Sequence, residues 1–224
     1  MRLIAVTGLK REAQILAGPG VLAIPGGGRS GALEAALEAA LGGAAREARG
    51  IISIGIAGAL ADDLSPGDWV VAESVIADGE ALPTHEAWRN GLLARLPGAT
   101  AGAFLGWDAM VTDAAEKLRL RHATDAIAVD MESHVAARVA QRLGLPFAAA
   151  RVISDAAGRS LPAAVTVGMR PDGGMALGPV LAALARDPRQ LPGLIRTGLE
   201  TERAFRALAQ AGGSWMPAMV EVAV

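Results

Sequence analysis

Four clusters of polar residues directly follow apolar runs of the sequence, and they lie at residues 8–12, 26–30, 130–132 and 154–155. The last of these clusters has the clearest acid–base chemistry. Burial at the end of a strand favours the protonated form of a carboxyl, so Asp155 could donate a proton at neutral pH. The hydroxyl of Ser154 could orient that carboxyl. Asp155 could equally cap the turn that follows it, because Asp is favoured at helix caps.

Two other clusters contain groups suited to a charged or polar ligand. Glu132 could stabilise positive charge, or it could be a carboxylate that the helix dipole favours in the first turn of a helix. Gly28, Arg29 and Ser30 precede a predicted helix, where free N–H groups and a guanidinium could hold an anion. Gly-rich turns before helices are also ordinary connectors, so this stretch is consistent with either role.

The elements that position these clusters alternate between strand and helix over the first two thirds of the chain. Strands are predicted at residues 3–6, 21–24, 51–56, 69–76, 101–105, 126–129 and 147–153. Helices are predicted at residues 10–16, 32–48, 113–122 and 135–143, and two more in the tail at 175–184 and 193–209. The segment 77–98 is predicted to be irregular and partly helical.

This alternation predicts an α/β fold with a mixed, mostly parallel central sheet flanked by helices. The run 51–56 is apolar without alternation, which is typical of a strand buried on both faces, so we expect it to be central. In such sheets ligands bind at loops that follow the carboxyl ends of strands, which is where the polar clusters lie. We expect one domain over residues 1–224, with a helical tail at 170–212 packed on it.

The composition excludes several classes of protein. The net charge is -2, with 21 Lys and Arg against 23 Asp and Glu, which offers no basic surface for nucleic acid. The sequence has no Cys and three His, so disulfides, Cys-bound zinc and a His-rich metal site are not expected. No segment reads as a membrane span or a signal peptide, so a cytoplasmic protein is expected.

Three motifs together carry a family resemblance. They are IGIAGAL at 54–60 with PGDWVV at 66–71, AVDMES at 128–133, and RVISD at 151–155. In this order and at this spacing, residues 1–160 resemble the purine nucleoside phosphorylase and methylthioadenosine nucleosidase superfamily. The tail, with Leu161-Pro162 and Arg170-Pro171-Asp172-Gly173, resembles the hopanoid-associated phosphorylase branch, thought to release adenine from adenosylhopane.

The resemblance implies roles at both ends of a nucleoside. Asp155, with Ser154 beside it, matches the aspartate that hydrogen-bonds or protonates purine N7. Glu132 matches the glutamate that binds the ribose hydroxyls, and Met131 the methionine packed against the sugar. These roles agree with the chemistry, because cleavage of an N-glycosidic bond builds positive charge on the sugar and negative charge on the base.

The resemblance also implies which groups contact the base. Met110 stands where nucleosidases place an aromatic ring on adenine, and a thioether can also pack on a purine face. Val111 stands where backbone groups read the edge of the base. Ala57 and Gly58 of the first motif are expected to contact the substrate.

The nucleophile is left open between water and phosphate. Nucleosidases hold a water with a glutamate in the first strand–helix loop, and Glu12 lies near that position but aligns one residue early against Gly8. Phosphorylases hold phosphate with arginines and backbone amides, for which Gly28, Arg29 and Ser30 are the candidates.

The resemblance therefore implies an enzyme that cleaves the N-ribosidic bond of a purine nucleoside by phosphorolysis, with an adenine nucleoside or a 5′-substituted adenosine such as adenosylhopane as substrate. Hydrolysis of methylthioadenosine or S-adenosylhomocysteine is one alternative, and a non-catalytic nucleotide-binding sensor is another. No organic cofactor or metal is implied, and phosphate is the co-substrate of a phosphorylase. A homo-oligomer is expected, and an exposed apolar patch on the tail helices could receive a lipid tail.

Overall fold

The computed structural model of the chain describes residues 2–42, 48–96, 98–168 and 176–222. Its strands are β1 (Arg2–Thr7), β2 (Val21–Pro25), β3 (Ala48–Ala59), β4 (Trp69–Ala77), β5 (Glu80–Pro83), β6 (Thr100–Gly106), β7 (Ala128–Asp130) and β8 (Phe147–Asp155). Its α-helices are α1 (Lys10–Leu16), α2 (Ser30–Gly42), α3 (Glu86–Arg95), α4 (Ala114–Thr124), α5 (Ser133–Leu143), α6 (Ala163–Gly168), α7 (Leu177–Arg186) and α8 (Leu191–Val222).

All eight strands belong to one mixed sheet. β1 pairs in parallel with β2 and β3, β3 with β8, β4 with β6, and β6 with β7, while β3–β7, β4–β8 and β4–β5 are antiparallel. Because β3, β7, β6, β4 and β8 pair in a cycle, these five strands close into a ring. β1 and β2 extend the ring on one side and β5 extends it on another. The predicted mixed, mostly parallel α/β fold is confirmed.

β3 lies at the centre of this sheet, as its uninterrupted apolar pattern predicts. It bonds to β1 along its first part, to β8 from Ile51 to Gly58, and to β7 through Gly58 and Ala59. Its pairing with β8 contains a bulge between Ala57 and Gly58, so that Gly58 faces Asp155. A bulge of this kind redirects a side chain next to a site, and here it determines where the Asp155 carboxyl lies.

The helices cover the sheet and end at recognisable residues. Asp113 caps α4, because its Oδ1 accepts the backbone N–H groups of Ala115 and Glu116. Gly144 ends α5 in the left-handed conformation at φ 64°. The tail helix α8 packs on β8 and α1, and it contributes Ala204, Phe205 and Leu208 to the core beneath them.

Three expectations differ from the structure or cannot be compared with it. The helix predicted at 32–48 is wrong at its carboxyl end, because α2 is Ser30–Gly42 and Ala48 already begins β3; glycine at the end of a helix favours termination. The segment 77–98 contains strand β5 as well as the expected helical part, α3. The motif at 170–173 and Met175 lie outside the described residues.

Candidate active site

Two glycines near the carboxyl end of β3 are the points against which the candidate catalytic side chains pack. A Cβ atom on Gly55 would lie 2.6 Å from Oε1 of Glu12 and 2.7 Å from Nη1 of Arg151. A Cβ atom on Gly58 would lie 3.2 Å from Oδ2 of Asp155. Three residues of extended strand span about 10 Å. The structure therefore places Glu12 and Asp155 against two positions of β3 that are three residues apart, near the end of the strand.

Asp155 lies at the acid end of this site and is almost completely buried. Its Oδ1 accepts a hydrogen bond from Oγ of Ser154 at 2.7 Å. Its Oδ2 forms an ion pair with Nζ of Lys117 on α4. The carboxyl therefore does not cap the following turn. It is held by one hydroxyl and one ammonium group.

At the opposite end a completely buried arginine is surrounded by acidic side chains. Nε of Arg151 donates to Oδ2 of Asp130 at 3.1 Å, and Nη2 donates to Oγ of Ser53 at 2.7 Å. Nη2 also lies 3.5 Å from Oε2 of Glu132. Nη1 is buried and has no hydrogen-bond partner among the described residues. It lies beside Gly55 and Glu12.

Glu12 is fully buried and is held by backbone N–H groups from two elements. Its Oε2 accepts from Leu9 at the start of its own helix at 2.7 Å, and its Oε1 accepts from Ile56 of β3 at 2.8 Å. Glu12 therefore caps α1 and also points into the cluster around Arg151. The alignment of this residue one position early against Gly8 does not keep its carboxyl away from the strand end.

Glu132 lies between this cluster and the glycine-rich loop after β2. Its carboxylate oxygens lie 3.1–3.2 Å from the position of a Cβ atom on Gly8, and its Cγ lies 2.9 Å from that of Gly26. The backbone N–H of Gly28 lies near this carboxyl and acts to lower its pKa. Glu132 is 5% exposed. Any side chain at Gly8 or Gly26 would crowd this carboxyl.

Burial and crowding of acids change the protonation of this cluster. Burial raises the pKa of Glu132 to about 8, and the neighbouring Asp130 and Glu12 add to this rise while Arg151 opposes it. Burial also raises the pKa of Glu12. Burial acts in the same direction on Asp130, but Arg151 and the bonds from Ser133 outweigh it and lower the pKa of Asp130. At neutral pH the cluster therefore retains at least one acidic proton, on Glu132.

The glycine-rich loop uses its own N–H groups within the protein. Gly26 donates to Thr7 O at 2.7 Å, Gly27 to Gly8 O at 2.9 Å, and Arg29 to Gly26 O at 3.3 Å. The N–H of Gly28 lies near the Glu132 carboxyl. The backbone N–H of Arg29, one of the residues suggested for phosphate binding, thus has another partner here.

The first residues of α2 also meet an acidic side chain. Oγ of Ser30 donates to Asp108, and Nε2 of His134 lies 3.0 Å from Oδ1 of Asp108. The hydrogen bond from Ser30 lowers the pKa of Asp108. The side chain of Arg29 is exposed. A carboxylate therefore already bonds to the first residue of this helix.

The residues expected to contact the base and sugar lie around the same strand ends. Val111 is buried against Leu60, Leu105 and Val129. Met110 and Met131 are half-buried. Oγ of Ser154 lies 3.1 Å from the carbonyl oxygen of Ala57, which ties the acid to the first motif.

A separate cavity of about 290 Å³ opens beside the loop that follows Asp155. It is lined mainly by apolar side chains, among them Leu60, Leu118 and Ala157, and by the acidic Asp62. Neither Asp155 nor Glu132 lines it. The candidate site therefore rests on the packing around Gly55 and Gly58.

No role is predicted for Arg151 or Lys117 from the sequence. Arg151 lies in the RVISD motif, and an arginine within the apolar run 147–153 signals buried acidic partners. Lys117 lies 38 positions from Asp155, and its helix carries charged residues along most of its length. Nothing in that local pattern distinguishes the one buried lysine from its exposed neighbours.

We expect Glu132→Gln to stabilise the free protein and more strongly at high pH. The folded pKa of about 8 exceeds the ordinary value of 4.5. The folded chain therefore binds a proton that the unfolded chain has lost, so the contribution of Glu132 is complete below pH 4.5 and disappears toward pH 8. Glutamine cannot ionise and so removes this loss. We expect the free energy of unfolding to rise by on the order of 3 kcal/mol at pH 8.

Urea unfolding at pH 5 and pH 8 measures this effect, with the exposed Glu80→Gln as the control. A gain in unfolding free energy that is the same at both pH values would show that Glu132 is not held protonated in the folded protein.

Comparisons with solved structures show relatives of the same fold. A Helicobacter pylori 5′-methylthioadenosine/S-adenosyl homocysteine nucleosidase matches with a TM-score of 0.63 and 16% identity, over 98% of each chain. A Streptococcus pyogenes S-adenosylhomocysteine nucleosidase, in complex with 5-methylthiotubericidin, matches with a TM-score of 0.61 and 17% identity, over 93% of this chain and 94% of that one. The Helicobacter pylori futalosine hydrolase matches with a TM-score of 0.56 and 18% identity, over 69% of this chain and 88% of that one.

The sequence comparisons identify the family. No curated protein gives a significant match. The family model described as the phosphorylase superfamily matches residues 7–169, which is more than half of the chain. The prediction of a nucleoside phosphorylase or nucleosidase enzyme is confirmed at this level. With its fold and its sequence in agreement, this chain belongs to the phosphorylase superfamily.

Proposed function

We propose that this enzyme cleaves the N-ribosidic bond of a purine nucleoside by hydrolysis. The observation that carries the proposal is the cluster of Glu12, Asp130 and Glu132 around a single buried guanidinium, at one end of a site whose other end is Asp155. An excess of acidic groups is suited to a ribosyl ring that gains positive charge, and an acid is suited to a base that gains negative charge.

The proposed reaction balances as follows in charge and protons. The bond between C1′ and N9 breaks, and its electron pair remains with the purine. The proton of Asp155 moves to N7, so that the base leaves neutral. Nη1 of Arg151 donates a hydrogen bond to a water molecule. The oxygen of this water forms a bond to C1′, and one of its protons moves to Glu12. Glu132 binds the ribose hydroxyls.

The charges near the nucleophile favour water over phosphate. A phosphate dianion beside Arg151 would also meet Asp130, whose lowered pKa keeps it ionised beside that guanidinium, and like charges in a buried site repel strongly. The N–H groups of Gly26, Gly27 and Arg29 already bond to protein acceptors. Asp108 bonds to Ser30 at the start of α2. These observations support hydrolysis, and phosphorolysis stays as the second candidate because Arg29 is exposed and could turn inward.

The resemblance of the tail to the hopanoid-associated branch supports a finer proposal, in which the 5′ substituent is a lipid such as that of adenosylhopane. The described parts of α7 and α8 expose five large aliphatic side chains, at Leu177, Leu181, Leu191, Ile195 and Leu199. Such a face suits a lipid tail or a second copy of this chain in a homo-oligomer. No helix in the described part of the chain is long and apolar enough to cross a membrane.

The experiment is an assay of adenine release with and without phosphate. Adenosine, methylthioadenosine, S-adenosylhomocysteine and a 5′-alkyl adenosine with a long chain are the substrates. We expect release at the same rate in phosphate-free buffer, with a free ribose sugar as the second product. Release that requires phosphate and gives ribose 1-phosphate would establish phosphorolysis instead. Tight adenine binding without release from any substrate would contradict both and favour the sensor.

The same assay tests whether the apolar face of α7 and α8 receives a lipid tail of the substrate. Preference for the long-chain substrate supports the lipid-linked class, and equal rates for all 5′ substituents contradict it. Light scattering of the free enzyme tests whether a second copy covers the face.

A further inference from the structure

Lys117 is a charged side chain that is completely buried. It lies on α4 between the half-buried Glu116 and the exposed Leu118. Its Nζ donates to Oδ2 of Asp155, to the carbonyl oxygen of Ala156 at 2.9 Å and to that of Arg159 at 3.2 Å. An ammonium group has three donors, and these three acceptors use all of them. The side chain is therefore fixed in direction and cannot turn toward solvent.

The hydroxyl of Ser154 complements this arrangement on the other oxygen. It has one hydrogen and two acceptors within reach, which are Oδ1 of Asp155 at 2.7 Å and the carbonyl of Ala57 at 3.1 Å. When Asp155 is ionised, the hydroxyl donates to Oδ1. When Oδ1 carries a proton, the hydroxyl donates to the carbonyl of Ala57 instead. Both protonation states of Asp155 are thus satisfied without moving the carboxyl.

We infer that Lys117 is the positioning residue of the acid. Its bond to Oδ2 leaves Oδ1 as the oxygen that carries and delivers the proton. In the transfer, the bond between Oδ1 and its proton breaks and a bond from that proton to purine N7 forms. The ammonium group stabilises the carboxylate that remains. This role rests on the proposed function, because it requires a leaving group that takes up a proton.

The neighbouring charges do not substitute for Lys117. The guanidinium of Arg159 turns away from the acid, because it donates to Oε1 of Glu200 at 2.9 Å and to Oγ1 of Thr197 at 3.0 Å. Arg151 bonds to Asp130 in the other cluster. Among the ion pairs of the described residues, Lys117 is the cation that contacts Asp155.

A merely structural role for Lys117 is the alternative. Its bonds to Ala156 and Arg159 also hold the loop after β8 against α4. The two roles differ in how they depend on the leaving group. A loop that is displaced should impair every substrate, whereas loss of acid positioning should impair only substrates whose leaving group needs a proton.

The test compares adenosine with 4-nitrophenyl riboside, whose phenolate leaves without protonation. We expect Lys117→Met to lower kcat for adenosine by about 10²-fold, while kcat for the nitrophenyl substrate changes by less than about threefold. Asp155→Asn should show the same selectivity. The double variant should be no slower on adenosine than Asp155→Asn alone, because Lys117 acts through Asp155.

Thermal melting and two further variants serve as controls for loss of folding. Lys117→Gln keeps a donor for the loop carbonyls, and the double variant removes both charges, so that no unpaired charge is buried. Arg119→Met, an exposed change on the same helix, should leave both rates unaltered.

Equal losses on both substrates, or additive losses in the double variant, would overturn the inference and leave Lys117 a structural residue. A wild-type enzyme that cleaves neither substrate would instead refute the proposed function. These two failures are therefore distinguishable.

Discussion

Asp155→Asn is expected to lower kcat/KM for adenosine by about 10²- to 10⁴-fold, which is the usual contribution of a positioned general acid. Asparagine has the same shape but carries no acidic proton, so the purine must leave as an anion. Its side-chain oxygen can still accept from Lys117, so we expect the fold to be retained. Steady-state kinetics and circular dichroism measure the two effects.

The neighbouring Asp62→Asn is the matched control for this variant. Asp62 is exposed and lines the separate cavity beside the loop after Asp155. Its replacement should leave kcat/KM unchanged. An Asp155→Asn enzyme with wild-type activity on adenosine would show that another group protonates the base.

Arg151→Met is expected to lower the free energy of unfolding by about 3–5 kcal/mol, as loss of one partner from a buried ion pair does. The variant would leave Asp130 without its cation and Glu12 and Glu132 without the charge that favours their ionised forms. The loss should be smaller at pH 5 than at pH 8, because protonation neutralises the two glutamates as the pH falls.

Urea unfolding at both pH values measures this loss. Arg138→Met is the control, because Arg138 pairs with Asp78 at the surface, where removal of a pair costs about 1 kcal/mol or less. Equal losses in the two variants would mean that Arg151 does not hold the acidic cluster together.

The fold class and the carboxyl groups at the ends of strands could be predicted from the sequence. Asp155 and Glu132 each follow an apolar run and belong to a motif, so local pattern and resemblance point to the same residues. Arg151 lies in the same motif, but its role depends on Asp130 and Ser53, which reach it only because β7 and β8 both pair with β3.

The features that the sequence did not predict depend on contacts between distant segments. Lys117 meets Asp155 across 38 positions, and the bulge at Ala57 and Gly58 that aims Asp155 depends on the pairing of β3 with β8. Gly55 and Gly58 read locally as strand glycines. Their use as close-approach points for Glu12, Arg151 and Asp155 becomes visible only in three dimensions.

The closed cycle of β3, β7, β6, β4 and β8 limits how copies of this chain can join by adding strand to strand. Among the described strands, only β2 and β5 have a single neighbour and so have a free edge. The strands whose ends carry Asp155 and Glu132 belong to the cycle and have no free edge. A second copy that reached over the nucleoside would therefore have to do so with helices or loops.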